Sequence, residues 1–345
     1  MTNIADLDKN FSIPSKIERD GLVYHNAEEL SIHGVGLIDG VYRRMKYEDS
    51  LAVSEKVELI SQNPAGGRVR FITDSPYIAI YVKYDSVFLI PNYSFTATAG
   101  FDLYSNNRYI GAYIPPHGTK DIFESIIDLD DDLQEKEYTI NFPICSSIKE
   151  IYIGVKDGST LEKATDYTIK KPVVFYGSST TQGGCASRPG NIYENIVSRA
   201  LDCDYINLGF GGNALGEESM AKYIANLEMS AFVYDYDYNA PTPEHLKSTH
   251  EKMFKIIRES QPTLPIIMMT APKYYLNSED EKRVAIIEKT YQNAINSGDK
   301  SVRLIKGKDM LESVKDVAIA DNIHPGDVGF NSIASFVIKT LKEFL

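Results

Sequence analysis

Apolar and polar positions change their rhythm partway along this chain of 345 residues. From about Val23 to Val155 the pattern has period two, in short bursts: VRFIT at 69–73, YIAIYVKY at 77–84, SFTATAGFDLYS at 94–105 and EIYIGV at 150–155. β-Branched and aromatic residues alternate with polar ones, and turn formers such as Asn63-Pro64 with Gly66-Gly67, and Asn106-Asn107, separate the bursts. This predicts an all-β sandwich of jelly-roll type over residues 1–165. After a short polar linker, DGSTLEKATDYTIKK, apolar runs of strand length take over: PVVFYG at 172–177, YINLG at 205–209, AFVYDYD at 231–237 and PIIMMTA at 265–271. They alternate with stretches of helical period, as in Met220, Tyr223, Ile224 and Leu227, in Met253, Ile256 and Ile257, and in Ile333, Phe336, Val337 and Leu341. Strands apolar on both faces and separated by helices imply a parallel sheet covered on both sides, so residues 166–345 read as an α/β domain.

Composition narrows the function. Lys plus Arg total 36 against 48 Asp plus Glu, a formal net charge of −12, and no basic stripe interrupts that balance. Such a surface repels phosphate backbones, so no nucleic-acid partner is expected. The opening MTNIADLDKNFSIPSKIERDG has no cationic segment followed by an apolar run, and no later stretch is apolar enough to span a bilayer. Three cysteines, Cys145, Cys185 and Cys203, lack CxxC spacing, which indicates neither a disulfide framework nor a structural zinc site. The expectation is a cytoplasmic protein without a membrane partner, its oligomeric state open.

In a doubly wound sheet, ligands bind outside the carboxyl ends of the strands. Four of those ends carry unusual residues. YGSSTTQGG, Tyr176 to Gly184, puts Ser179 at a strand-to-helix turn, where a hydroxyl can face solvent and nearby N–H groups can face a developing oxyanion. The bland alternative is a Ser/Thr run that caps the next helix; a phosphate cradle would need a Lys that the block lacks. DNIHPGDVGFNSIA sets Asp321 three residues before His324, a spacing that lets a carboxylate fix one imidazole tautomer and leave the other nitrogen as a base, or that forms a plain capped turn. NLGFGGNA offers the N–H of Gly212, and YDYDYNAP offers the amide of Asn239; either block could equally be a simple turn.

Together the four blocks, in order and at strand ends, resemble the SGNH hydrolases, also called the GDSL esterase and lipase superfamily. The resemblance covers roughly residues 172–345. It implies a flavodoxin-like α/β/α catalytic domain, Ser179 as nucleophile, His324 as base with Asp321 orienting it, an oxyanion hole made by Ser179, Gly212 and Asn239, and no metal or organic cofactor. The chain departs from the pattern twice: Ser178 stands where the family name expects Asp, and Asp237 where a Gly precedes the Asn block. Some SGNH carbohydrate esterases are similar in carrying an N-terminal jelly roll, which implies an acylated carbohydrate as the substrate and a serine esterase releasing acetyl or another short acyl group. An acyltransferase, or a carbohydrate-binding protein with a decayed hydrolase domain, are the rivals.

Substrate contacts are expected from Arg188 and Asn191, which follow the nucleophile in GGCASRPGN, and from Tyr238. Cys185 reads as a packed small residue, and His245 and His250, five apart on a helix, as solvent-exposed. The stretch Asp128 to Glu137 reads as an acidic solvated turn, since it lacks the Gly and Glu of a calcium loop.

Overall fold

In the computed structural model, which describes residues 16–129 and 136–345, the change of rhythm is a change of sheet type. The first half forms two large antiparallel sheets and a two-stranded one, Gly36–Ile38 with Val41–Arg43. One places Leu22–Asn26, Ser147–Lys156, Tyr77–Ser86 and Ile122–Asp128 side by side. The other runs Leu161–Lys163, Arg68–Thr73, Lys136–Asn141, Phe101–Ser105 and Arg108–Tyr113, with Ser31–His33 also on Arg68–Thr73. Alternate side chains from both, among them Val69, Phe71, Ile80, Val82, Leu103, Ile140 and Ile153, form one buried core. Asn106, at φ 50°, makes the tight turn between Phe101–Ser105 and Arg108–Tyr113. The acidic stretch lies mostly outside the described residues; at its ends Asp128 pairs with Arg19, and Glu137 with Arg70.

The first half is not all strand. Residues Phe95–Thr98, inside a burst that alternates, form a helical turn: Phe95 O and Thr96 O accept from the N–H groups of Ala99 and Gly100 within it, while Ala97 O and Thr98 O accept from those of Ile144 and Ser146. Tyr47–Leu51 and Glu55–Ser61 form a helical hairpin whose second helix is capped by Ser54 Oγ, 3.1 Å from Val57 N. Met45 and Val57 do not join the sheet core next to them in sequence. They are buried with Val174, Leu208 and Met220 of the second half.

The second half is a five-stranded parallel sheet ordered Cys203–Gly209, Ile169–Gly177, Ala231–Asp235, Ile266–Met269, Val302–Ile305. In chain order that is 2-1-3-4-5, the flavodoxin-like winding. Tyr193–Leu201 and Asp327–Leu341 pack on one face; Glu218–Ala225, Pro243–Ser260 and Ser278–Asn296 cover the other. The edge strand Val302–Ile305 escaped the sequence pattern because Arg303 and Leu304 are only half-buried there. His250 is buried, contrary to expectation. It lies against the rings of Tyr234 and Tyr236, its Nδ1 is 3.0 Å from Thr290 Oγ1, and burial pushes its pKa down to about 3. His245 Nε2 meets Leu215 O at 2.8 Å. Among the described residues no helix is long and apolar enough to cross a membrane.

Two buried arginines join the halves. Arg44 Nη1 donates to Gly209 O at 2.5 Å while its Nη2 donates to Ile60 O at 2.8 Å, and Arg68 pairs with Asp204 and donates to Tyr167 Oη at 2.8 Å.

Candidate active site

The carboxyl ends of the parallel strands collect the four sequence blocks. Ile169–Gly177 ends at Ser178, whose side chain caps the short helix Ser179–Gln182 by accepting from Thr180 N at 3.2 Å. Ser178 is therefore the cap, and Ser179 stands at the first helical position, where its N–H has no intrahelical acceptor. The turn is held from below by Asp235, whose Oδ1 accepts from Thr181 Oγ1 at 2.5 Å. Gly177 is required here, since a Cβ would overlap Asp235 Oδ1. Burial raises the Asp235 carboxyl to about 8, against the Thr181 hydrogen bond and with help from Asp237 nearby.

Ser179 Oγ lies 2.8 Å from His324 Nε2, and His324 Nδ1 lies 2.8 Å from Asp321 Oδ2. A carboxylate only accepts, so Nδ1 carries the proton and Nε2 is left to accept from the serine hydroxyl. Asp321 Oδ1 takes the N–H groups of Ile323 and His324, each at 2.7 Å, and Oδ2 takes the Asn92 amide at 2.6 Å. Burial alone would raise this carboxyl; the hydrogen bonds from the His324 ring and N–H, Ile323 N–H and Asn92 outweigh it and hold the group well below the ordinary carboxylate range. Ser179 and His324 both open onto a cavity of about 380 Å³. A larger one, about 900 Å³, lies at the other end of the sheet between Pro243–Ser260 and Ser278–Asn296 and contains none of these residues.

Gly212 reaches the same cavity, but Asn239 is not among its lining residues. Asn239 stands behind the glycine: its Oδ1 accepts from Gly212 N at 3.2 Å, and its Nδ2 donates to Phe210 O at 2.9 Å. The reverse amide orientation would set donor against donor and acceptor against acceptor. The departure at Asp237 accompanies this placement, for its carboxylate accepts from Tyr238 N at 3.0 Å and Ala271 N at 2.9 Å and pins the turn. Arg188, Asn191 and Tyr238 are likewise absent from the cavity wall. Arg188 donates to Tyr104 Oη and Asn191 Oδ1, both at 2.7 Å, and packs over the Tyr109 ring, while the Asn191 amide donates to Asp327 at 2.8 Å. The loop is thus tied to the β-rich half and to Asp327. Tyr238 borders a separate small cleft with Lys273 and Arg283.

Two residues of the first half touch Asp321 and His324 directly, and sequence reasoning missed both. Asn92 supports Asp321, and Tyr93 sits edge-on to the His324 ring with its Oη 3.5 Å from Nε2. Burial raises the Tyr93 phenol, so it stays a neutral donor. Pro91-Asn92-Tyr93 is an ordinary turn sequence, and nothing in its pattern signals this contact. Cys185 is small and buried as expected, yet polar in its surroundings. Its Sγ is 3.2 Å from Asn92 O and 3.5 Å from Asp321 Oδ2; burial, and after it the Asp321 carboxylate, raise the thiol to about 12. Cys185, Asp321 and His324 could share an ion only by breaking the Asp321–His324 hydrogen bond, so no metal role follows from their proximity.

A flavodoxin-like sheet with a serine, histidine and aspartate chained at its carboxyl edge defines the SGNH class of hydrolase fold. Residues 170–342 match the model of the GDSL-like lipase/acylhydrolase family, and residues 22–161 match that of the N-terminus of SGNH-hydrolase-type esterases. The chain belongs to the GDSL-like lipase/acylhydrolase family. Among solved structures it is similar to a GDSL-like protein from Bacteroides ovatus, at 26% identity and TM-score 0.83, over 93% of this chain and 98% of that one. It is also similar to a salicylyl-acyltransferase from a tetracycline biosynthetic pathway, at 18% and 0.76, over 94% and 98%. A family two carbohydrate esterase from Clostridium thermocellum in complex with cellohexaose aligns at 11% and 0.58, over 94% and 98%. The last two likenesses bear on the fold alone. No curated protein matches by sequence.

Proposed function

We propose that this protein is a serine esterase that releases a short acyl group from an acylated carbohydrate. The observation that carries the reading is the unbroken chain of two 2.8 Å contacts, Ser179 Oγ to His324 Nε2 and His324 Nδ1 to Asp321 Oδ2, beginning at a hydroxyl open to a cavity. In this reading His324 takes the Ser179 proton as Oγ attacks the ester carbonyl, and returns it to the departing alcohol oxygen. The oxyanion is received by the Ser179 and Gly212 N–H groups, Gly212 exchanging its 3.2 Å contact with Asn239 for the stronger charged acceptor. Asn239 is then a positioning residue that aims the glycine. Water, activated by the same His324, cleaves the acyl-enzyme. The carbohydrate alcohol is supported by the two-domain arrangement that the sequence shares with SGNH carbohydrate esterases.

The test is hydrolysis of 4-nitrophenyl esters by the wild type and by Ser179→Ala. Activity that disappears in the variant supports the reading; equal rates in the two proteins reject it and leave a binding protein with a decayed site. Product analysis with added acceptor alcohols then separates hydrolysis from acyl transfer, which would use the same residues.

A further inference from the structure

The cavity at Ser179 has one wall that is largely apolar. Apart from Ser179, His324, Gln182, Asn63 and the two glycines, it is lined by Leu59, Ile60, Phe88, Ile90, Tyr93 and Cys145, all from the β-rich half. Leu59 is 58% exposed and Phe88 44%, so large apolar side chains are left facing solvent at the rim of a reactive site. A soluble protein keeps such a patch where something apolar docks.

The four substituents of the tetrahedral intermediate decide what docks. One is Ser179 Oγ. The oxyanion must face Ser179 N and Gly212 N, and the leaving oxygen must face His324 Nε2 to receive its proton. The remaining substituent is the carbon chain of the acyl group, and the wall left to it is the apolar one. We infer that the acyl group this site accepts is an apolar chain of about four to six carbons, seated against Leu59, Ile60, Phe88 and Ile90, and that acetyl is a poor fit. At about 380 Å³ the cavity has room for more than the methyl of an acetyl group. The selectivity filter is therefore built by the half of the chain that carries none of the serine, histidine and aspartate chemistry.

This inference rests on the esterase reading above, and one series separates the two. The 4-nitrophenyl esters of acetate, butanoate, hexanoate and octanoate are compared by kcat/KM in the wild type, in Ser179→Ala and in Leu59→Asn and Phe88→Ser, both at exposed positions that tolerate polar side chains. Each added methylene buried against the wall is expected to raise kcat/KM about threefold to fourfold, so hexanoate, with four more methylenes than acetate, exceeds it by about eightyfold or more. Both rim variants are expected to lower the hexanoate-to-acetate ratio at least threefold. A series that is flat or highest at acetate overturns the inference while leaving the esterase standing, and so does an unchanged ratio in both rim variants. Failure of every ester to react faster with the wild type than with Ser179→Ala removes the esterase reading itself.

Discussion

The two halves of this molecule differ in how they relate sequence to site. In the parallel-sheet half each block acts from the strand end where it is written: Ser179 after the first strand, Gly212 after the second, Asn239 after the third, and Asp321 and His324 after the last. In the β-rich half, Asn92, Tyr93, Leu59 and Phe88 come from a loop and a helical hairpin that depart from the antiparallel sheets to dock on the other half's strand ends. In the proposed esterase the first kind of residue carries the reaction or aims a group that does, and the second supports Asp321 and shapes the cavity. The β-rich half thus forms part of the candidate site and is not an appendage to the parallel-sheet half.

Four substitutions probe that division. The largest effect is expected for Ser179→Ala, with ester hydrolysis falling by about 10⁴-fold or more while the denaturation midpoint holds, read from kcat/KM and chemical unfolding. Arg44→Ala comes next. It leaves Gly209 O and Ile60 O without their buried donor and is expected to cost about 3 kcal/mol in urea or guanidinium unfolding; a loss below about 1 kcal/mol would mean the halves hold together without it.

Asp235→Asn tests the support beneath the Ser179 turn by its pH signature. The folded carboxyl is raised to about 8 from 3.8, so the native state holds a proton that the unfolded chain releases. That contribution is fully present below the lower value and is lost as pH rises towards the upper one. Asn keeps an acceptor for Thr181 but cannot titrate. Between about pH 5 and pH 7, stability of the wild type should therefore fall by about 2 kcal/mol more than that of the variant; parallel curves would show Asp235 ionised in the fold. The smallest effect is expected for Tyr93→Phe, a fivefold to tenfold drop in kcat/KM from the loss of one hydroxyl beside His324, with stability nearly unchanged. No change in rate would confine Tyr93 to packing.

Much of this was legible in one dimension. Period-two bursts at 69–73, 77–84 and 150–155 became strands because one buried face suffices to specify them, and the apolar runs became the parallel sheet because helices cover both its faces. Ser94–Ala99 was misread because Thr and Ala suit an alternating pattern and a helical turn alike, and only the carbonyl partners at Ile144 and Ser146 choose. Arg188 and Asn191 were misread for a related reason: a charged loop after a nucleophile suggests substrate, but its partners Tyr104 and Asp327 lie 84 and 136 residues away.

Local spacing alone determined the sheet types, the nucleophile turn and the Asp321–His324 pair, because each depends on backbone periodicity or on neighbours within a few residues. Tertiary structure alone decided that Asn239 turns its amide to Gly212 and Phe210, that Asn92 and Tyr93 complete the site, and that the cavity wall is apolar. Those outcomes depend on which donors and surfaces meet across more than a hundred residues of chain, and such meetings are chosen by packing and hydrogen-bond satisfaction in the closed fold.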